Sequence, residues 1–545
     1  MLPKIVLILP EILLVVGAVI VTVLGLSRRK VVRDAVPAVT LALLVGALAV
    51  THYVTNDSRL AAADLLMPGL AVYGKSLILI VAMGLVLLSV GLVDRKLEAA
   101  FSTGRASFDA IRVIRGEYHA FFLLSIAGAC LLCTAPDLIW LFLAIELVSL
   151  PSYIMVAISR SSRKAQEAAV KYFFLGALSS AILLYGFALL YGATGTLELV
   201  AMRDILTQQA AAGGVSTIAI IGLVLTIIGL CYKISAVPMH FYAPDVYEGA
   251  STPVTAFLAF VPKAAGFIAL ILILECVGWS GHKFVRGGET YEIARGLPQP
   301  ITALLWMVAV LTMTLGNVGA LLQRNVKRML AYSSVAHSGY MIIGLIAGPV
   351  GVMGVSGVNA TLFYLLAYAL MNIATFGPLA SLERNGEGIE TLDDIAGLRQ
   401  RHPWMAAMLA IGAASLIGLP PLLGFWGKFY LLMAGIEAGQ TTLVVIAAIN
   451  SGIAAWYYLR LMTEPLVGAP NARSETITAG PSIWPRVATV VMALALIVLP
   501  IGLGRVVAAA NAVTRGLDRG VAKVPAAAPT EIAPIAVGMS AGTRP

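Results

Sequence analysis

The sequence predicts an all-α integral membrane protein with about fourteen transmembrane helices. Three observations carry that prediction. Of the 545 residues, 59% are hydrophobic and 12% charged, against a charged share of roughly 25% in soluble proteins. The apolar residues come in continuous runs close to the roughly 20 residues a helix needs to cross hydrocarbon. They do not show the ten-residue alternation of barrel strands, which leaves helices as the way to satisfy the backbone in lipid.

Taken in order, the runs fall near 4–26, 36–54, 72–94, 118–135, 137–158, 168–191, 215–237, 252–277, 301–321, 328–348, 356–381, 404–434, 440–463 and 486–510. The first is read as a retained span and not a cleaved signal, because it contains Glu11, exceeds twenty residues and lacks a small-x-small site before Ser27-Arg28-Arg29-Lys30. Residues 1–117 form a three-helix unit and a polar connection, plain in texture apart from Glu11 and Lys75 at a span edge. From 118 onward the spans carry Glu, Lys, His and Pro. Spans four to eight (118–277) and nine to thirteen (301–463) make two groups of five, each with a long segment interrupted by proline, at Pro238 and at Pro420-Pro421. An odd number of helices per group inverts consecutive groups in the membrane. A final span, 486–510, precedes a tail, 511–545, rich in Ala, Pro and Gly and expected to lack stable structure.

The net charge of +9 has a topological explanation. Connections on one side carry twenty-one Lys and Arg, among them the cluster from Arg28 to Arg33, whereas those on the other carry five. The positive-inside rule then places both termini outside, in a plasma-type membrane. A nucleic-acid surface is not implied. Cys130 and Cys133 form a CxxC without a second pair or a nearby His, so no metal is expected in this chain. Neither a phosphate-binding GxxxxGK[ST] nor a strand-embedded GxGxxG occurs, which argues against nucleotide chemistry and a bound cofactor.

Three lysines stand where an ammonium group is costly: Lys233 in IAIIGLVLTIIGLCYKISAVP, Lys263 in TAFLAFVPKAAGFIALILIL, and Lys428 in IGLPPLLGFWGKFYLLMAG. At mid-bilayer such a charge costs at least about 2.5–3.5 kcal/mol, which makes each a functional-site hypothesis. Pro238 and Pro262 add carbonyls freed from helical pairing beside Lys233 and Lys263. Glu146, in LIWLFLAIELVSLPSYIMVAI, is the matching acid; it could approach Lys233 or simply satisfy a helix-packing hydrogen bond. Lys171 follows Glu167 at i+4, a spacing that fits a surface ion pair as well as a proton path. His337, in LAYSSVAHSGYMIIGL, suits proton relay or a hydrogen-bonded packing role. His240 either lines an access route or caps the break, while His119, His282 and His402 read as connection residues.

The runs AIELVSLPSYIMVA, EAAVKYFFLGALSSAILLYGFALLYGATGTLEL, YKISAVPMHFYAPDVYEGASTPVTAFLAFVPKAAGF, NVKRMLAYSSVAHSGYMIIGL and GLPPLLGFWGKFY closely resemble the N-type antiporter-like subunits of proton-pumping NADH-quinone oxidoreductase, respiratory complex I. The resemblance covers about 118–463, with its motifs in order. It implies fourteen helices, two inverted five-helix repeats and broken helices seven and twelve. It further implies Glu146 as acidic partner, Lys233 as pumping lysine, Lys263 as connecting lysine and Lys428 as far-side lysine, with Lys171 and His337 as secondary candidates. Flavin, iron–sulfur clusters, NADH and quinone belong on this reading to the complex and its redox arm, not to this chain. The alternative is a subunit of a multi-chain cation/proton antiporter that uses the same residues without a redox enzyme.

Overall fold

The computed structural model describes residues 2–55, 59–60, 63, 65–92, 101, 103, 105, 115–160, 162–277, 279, 283–286, 289–292, 296–352, 354–384 and 387–514. Helices dominate them. The amino-terminal unit consists of α1 (Leu2–Leu7), α2 (Leu9–Gly25), α3 (Lys30–Asp34), α4 (Val36–Val54) and α5 (Pro68–Ser89). Next come α6 (Arg115–Leu132), α7 (Leu138–Ile158), α8 (Arg163–Thr194), α9 (Leu199–Ala211), α10 (Thr217–Lys233), α11 (Tyr242–Gly249) and α12 (Thr252–Glu275). The remainder holds α13 (Gln299–Leu321), α14 (Val326–Ala347), α15 (Gly357–Ser381), α16 (Pro403–Ile417), α17 (Leu423–Glu437), α18 (Thr441–Leu466), α19 (Trp484–Val498) and α20 (Leu503–Asn511). Among the described residues, ten helices are long and apolar enough to cross a membrane, counting α3–α4 and α19–α20 as continuous, and four further apolar helices are shorter.

Side-chain caps start several helices where the sequence supplies them. Asp137 accepts from Trp140 N at 2.7 Å ahead of α7, Ser162 from Ala165 N ahead of α8, and Asn325 from Arg328 N ahead of α14. Each satisfies an N–H that the first turn leaves without an intrahelical acceptor. Helix α8 ends on Gly195 in the left-handed conformation (φ 70°), the stop glycine is suited to make.

Helices α12, α14 and α15 form the centre: 100%, 94% and 94% of their most apolar windows are buried, against 28% for α19–α20 at the rim. Close approach fixes α13 against α14, since a Cβ at Gly339 would stand 2.7 Å from Met313 N. Small residues permit such contact between membrane helices, which lipid does not drive together by hydrophobicity. Two predicted spans are cut. The seventh stops at Lys233 and resumes as the short α11, and the twelfth divides into α16 and α17 around Gly418–Leu422.

Several features differ from the sequence reading. Lys75 is not at an edge: it lies in the second turn of α5, fully buried. His119 is likewise buried inside α6. Three small antiparallel sheets were not anticipated: β1 (Lys283–Arg286) with β2 (Glu289–Glu292), β3 (Gly351–Val352) with β4 (Val355–Ser356), and β5 (Leu382–Arg384) between β6 (Glu387–Gly388) and β7 (Ile477–Ala479). Most of the polar connection at 95–117, His282 and the tail from 515 onward lie outside the described residues.

Candidate functional site

Lys233 is the last residue of α10, and the chain leaves the helix through Ser235, whose φ of 55° turns the backbone away. The polar groups exposed by this break find partners on neighbouring helices. Val237 N donates to Thr312 Oγ1 of α13 at 3.0 Å, and Ser338 Oγ of α14 donates to the Ile234 carbonyl. Non-helical backbone at membrane depth is tolerated only when protein or a wet cavity takes up its hydrogen bonds, and here protein does.

The Lys233 ammonium donates to Ser149 Oγ at 2.7 Å and stands 3.5 Å from Glu146 Oε1. Glu146 in turn accepts from Ser180 Oγ at 2.5 Å. Helix α7 thus supplies both the carboxylate and, three residues on, the hydroxyl that holds the lysine. Glu146 both stands near Lys233 and makes an interhelical hydrogen bond, and the acid remains partly accessible with 18% of its side chain exposed.

Lys263 projects from α12 onto α14, where it donates to both the carbonyl and the hydroxyl of Ser334, the latter at 2.7 Å. Its ammonium also faces the Tyr368 ring at 5.1 Å. Three residues beyond Ser334, His337 is held at both ring nitrogens: Nδ1 is 2.6 Å from the Tyr364 hydroxyl and Nε2 is 2.8 Å from the Tyr458 hydroxyl. A neutral imidazole carries one donor and one acceptor, so one tyrosine accepts while the other donates. Tyr368 touches the histidine ring as well, at 5.1 Å between centroids.

Lys428 reaches backward across the second break. From α17 it donates to the carbonyls of Leu416 and Ile417 at the end of α16, at 3.0 and 2.9 Å, and to Ser451 Oγ of α18 at 3.1 Å. A cation at a helix C-terminus meets carbonyls that lack intrahelical partners and the negative end of the helix dipole. Tyr340 of α14 presents its ring to the ammonium at 5.2 Å and lies 5.9 Å from the His337 ring.

Helix α14 therefore connects all three lysines. Ser338 bonds to the break beside Lys233, Ser334 holds Lys263, His337 stands between two tyrosines, and Tyr340 faces Lys428. Sequence reasoning found His337 but missed the serines and tyrosines around it. The signal was available, because SSVAHSGY places hydroxyls at positions 333, 334 and 340, one helical turn to either side of the histidine, and at 338 beside it.

Lys171 belongs elsewhere. It pairs with Glu167 at 2.8 Å and Asp245 at 2.7 Å in a partly exposed cluster where Arg328 binds both Asp245 and Glu248, and Lys164 binds Glu248. Burial pushes the Asp245 and Glu248 carboxyls up, but hydrogen bonds from these cations outweigh it and hold both below the usual carboxylate range. Beside this cluster Lys327 is buried, and it donates to the carbonyls of Glu248 and Ala250 at 2.8 and 2.7 Å. His240 lies just ahead of α11, whose N-cap is Phe241, and its carbonyl accepts from Ala243 N. All four cysteines are free and buried, and among the described residues no group of three or more His, Cys, Asp or Glu side chains could hold a metal ion.

Two helix breaks, each next to a buried lysine, define a membrane protein of the antiporter-like class. The family described as NADH:quinone oxidoreductase/Mrp antiporter, transmembrane, matches residues 135–286 and 293–454, and the chain belongs to it. The chain is 38% identical over 484 residues to subunit N of the NADH-quinone oxidoreductase of Rhodospirillum rubrum, covering 87% of this chain and 91% of that relative. A chain of respiratory complex I from Thermus thermophilus shares the fold with a TM-score of 0.71 at 29% identity, over 92% of this chain and 100% of that one. A chain of the Mrp complex from Dietzia matches with a TM-score of 0.70 at 22% identity, over 95% and 98%, a likeness of fold alone. Within the family this is an N-type, multi-pass membrane-arm subunit of an enzyme complex.

Proposed function

We propose that this subunit translocates protons along Glu146, Lys233, Lys263, His337 and Lys428, driven by redox chemistry in partner subunits. The observation that carries the reading is that one buried helix, α14, reaches all three lysine environments, through Ser338 at the break beside Lys233, Ser334 at Lys263 and Tyr340 at Lys428. The Glu146–Lys233 pair sets proton occupancy at one end: an approaching carboxylate favours the ammonium, and its withdrawal favours release. His337 passes protons between Tyr364 and Tyr458 by exchanging donor and acceptor nitrogens. Water bridges carry the steps that lack a direct bond, from Lys233 to Lys263, from Lys263 to His337 and from His337 to Lys428. Lys171 acts at the rim of this path through its ion pairs and not as a relay.

The same reading assigns fourteen spans, the ten long and four shorter apolar helices, with α11 and α17 continuing the crossings that α10 and α16 begin. It assigns two inverted five-helix groups, at 118–277 and 301–463, and both termini to the outer side of a plasma-type membrane. Flavin, iron–sulfur clusters and the NADH and quinone sites belong to partner subunits, with translocase activity a property of the whole complex.

The test is redox-coupled proton transport by the intact complex carrying Lys233→Ala. Electron transfer with a reduced proton-to-electron ratio is expected; an unchanged ratio removes Lys233 from the mechanism. Co-purification of flavin and iron–sulfur subunits separates this reading from a free-standing cation/proton antiporter, which would exchange ions without them.

A further inference from the structure

The chain between β6 and α16 ends in a turn, Leu398–Gln400, that docks against the last turns of α18 through a hydrogen bond from Gly397 N to the Glu464 carbonyl. This contact brings Arg399 and Arg401 to the same end of the helix bundle as Arg460 of α18. Arg399 and Arg401 are exposed and Arg460 is half-buried, and among the described residues none of the three has a carboxylate within ion-pair reach. The acid closest in sequence to Arg460, Glu464, places its carboxylate beside Gly468. Across the bundle, by contrast, Lys164, Lys171 and Arg328 are each paired with carboxylates.

Two tryptophans complete the patch. Trp404, second residue of α16, is 74% exposed, and Trp456 of α18 is 65% exposed. Along α18, Arg460 lies about 9 Å and Trp456 about 15 Å from the helix end at 1.5 Å per residue. Indole rings favour the headgroup boundary, where their apolar body meets acyl chains and their N–H meets water. Guanidinium groups at that level attract anions, and their planar forks suit phosphate oxygens.

We propose that Arg399, Arg401 and Arg460, framed by Trp404 and Trp456, form a binding site for the phosphate headgroup of an anionic phospholipid. The lipid lies against α16 and α18, whose partner α17 carries Lys428. The site goes beyond the proton-transfer reading and depends only on membrane embedding, so failure of one leaves the other standing.

Arginine reactivity in the intact, lipid-depleted complex tests the site. Phenylglyoxal should modify all three arginines, and added phosphatidylglycerol, but not phosphatidylcholine, should protect them about fivefold or more. Replacement R399Q/R401Q/R460Q should lower retained phosphatidylglycerol, read by native mass spectrometry, with about fivefold weaker binding for each arginine removed; the three Arg→Lys changes should keep most of it. Equal reactivity in both lipids overturns the proposal. So does protection in the lipid-depleted complex, which would mean that a neighbouring subunit covers the patch.

Discussion

Lys428 donates to the Ile417 carbonyl at 2.9 Å, so a residue of α17 occupies the C-terminus of α16 across the break between them. Gly418, left-handed at φ 90°, ends α16 by bonding back to the Ala414 and Ser415 carbonyls, and the lysine caps the next two, those of Leu416 and Ile417. Lys428→Met should lower redox-coupled proton transport by about tenfold or more, equivalent to about 1.4 kcal/mol. Lys428→Arg, which keeps the cation but changes its geometry, should recover capping without full transport. Parallel assays of assembly and proton-to-electron ratio distinguish the two roles, and full transport in the Met variant would refute the assignment.

At the other end, Ser180 supports Glu146 and Ser149 supports Lys233. Their coupling is open to a double-mutant cycle. Glu146→Gln leaves Lys233 without its counter-charge, and Lys233→Met leaves the carboxylate without its cation; the combined variant removes the mismatch. The transport losses should therefore be strongly non-additive, with a coupling of about 0.5–3 kcal/mol for residues in one network. Additive losses would show that the 3.5 Å approach carries no functional coupling.

His337 supplies a prediction about chemistry instead of charge. Tyr364→Phe and Tyr458→Phe each remove the hydroxyl at one imidazole nitrogen with little change in volume. Each should slow proton transport while leaving assembly intact. His337→Gln, which can hydrogen-bond but cannot exchange a proton between two nitrogens, should slow it further. Equal transport by wild type and His337→Gln in proteoliposomes would return the histidine to a packing role.

Much of this site was legible because charge in a hydrocarbon-length run is conspicuous. Lys233, Lys263, Lys428 and Glu146 announce themselves by their cost, and Pro238 and Pro420-Pro421 mark the two breaks. What escaped was short-range satisfaction. Ser149, Ser334 and Ser338 are common small residues whose role depends on which helix lies opposite, and hydropathy does not encode that. Lys75 escaped for a related reason: near the start of a predicted span it reads as a residue that could reach the water, whereas α4 and α6 packed on α5, with Glu11 of α2 paired to the ammonium, close that route.

The Asp245 and Glu248 cluster carries a pH prediction. Both carboxyls sit below their ordinary values when folded, so the stability they contribute is present above the unfolded values, about 3.9 and 4.3, and is lost only as pH falls through the lower folded ones. Asp245→Asn should therefore lower the thermal midpoint of the complex by an amount that stays constant between about pH 5 and pH 8. Salt should shrink the difference, because these side chains are partly exposed. A difference that titrates near neutrality would contradict the assigned ion pairs.

The Glu11–Lys75 pair offers the sharpest separation of structure from function. Lys75 Nζ lies 2.7 Å from Glu11 Oε1 and donates to the Leu7 carbonyl at 2.7 Å, tying α5 to the junction of α1 and α2. Neither side chain touches the residues proposed to carry protons. Removing one member of a buried pair strands the other, at a cost of about 3–5 kcal/mol, whereas replacing both with apolar groups of similar volume is often neutral. Lys75→Met should thus destabilise the amino-terminal unit, and Glu11→Leu combined with Lys75→Met should restore most of the loss. Proton-to-electron ratio should stay at the wild-type value in the double variant. A ratio that falls despite recovered thermal stability would give this pair a place in proton transfer, and equal stability in all three proteins would show that the ion pair does not hold the unit together.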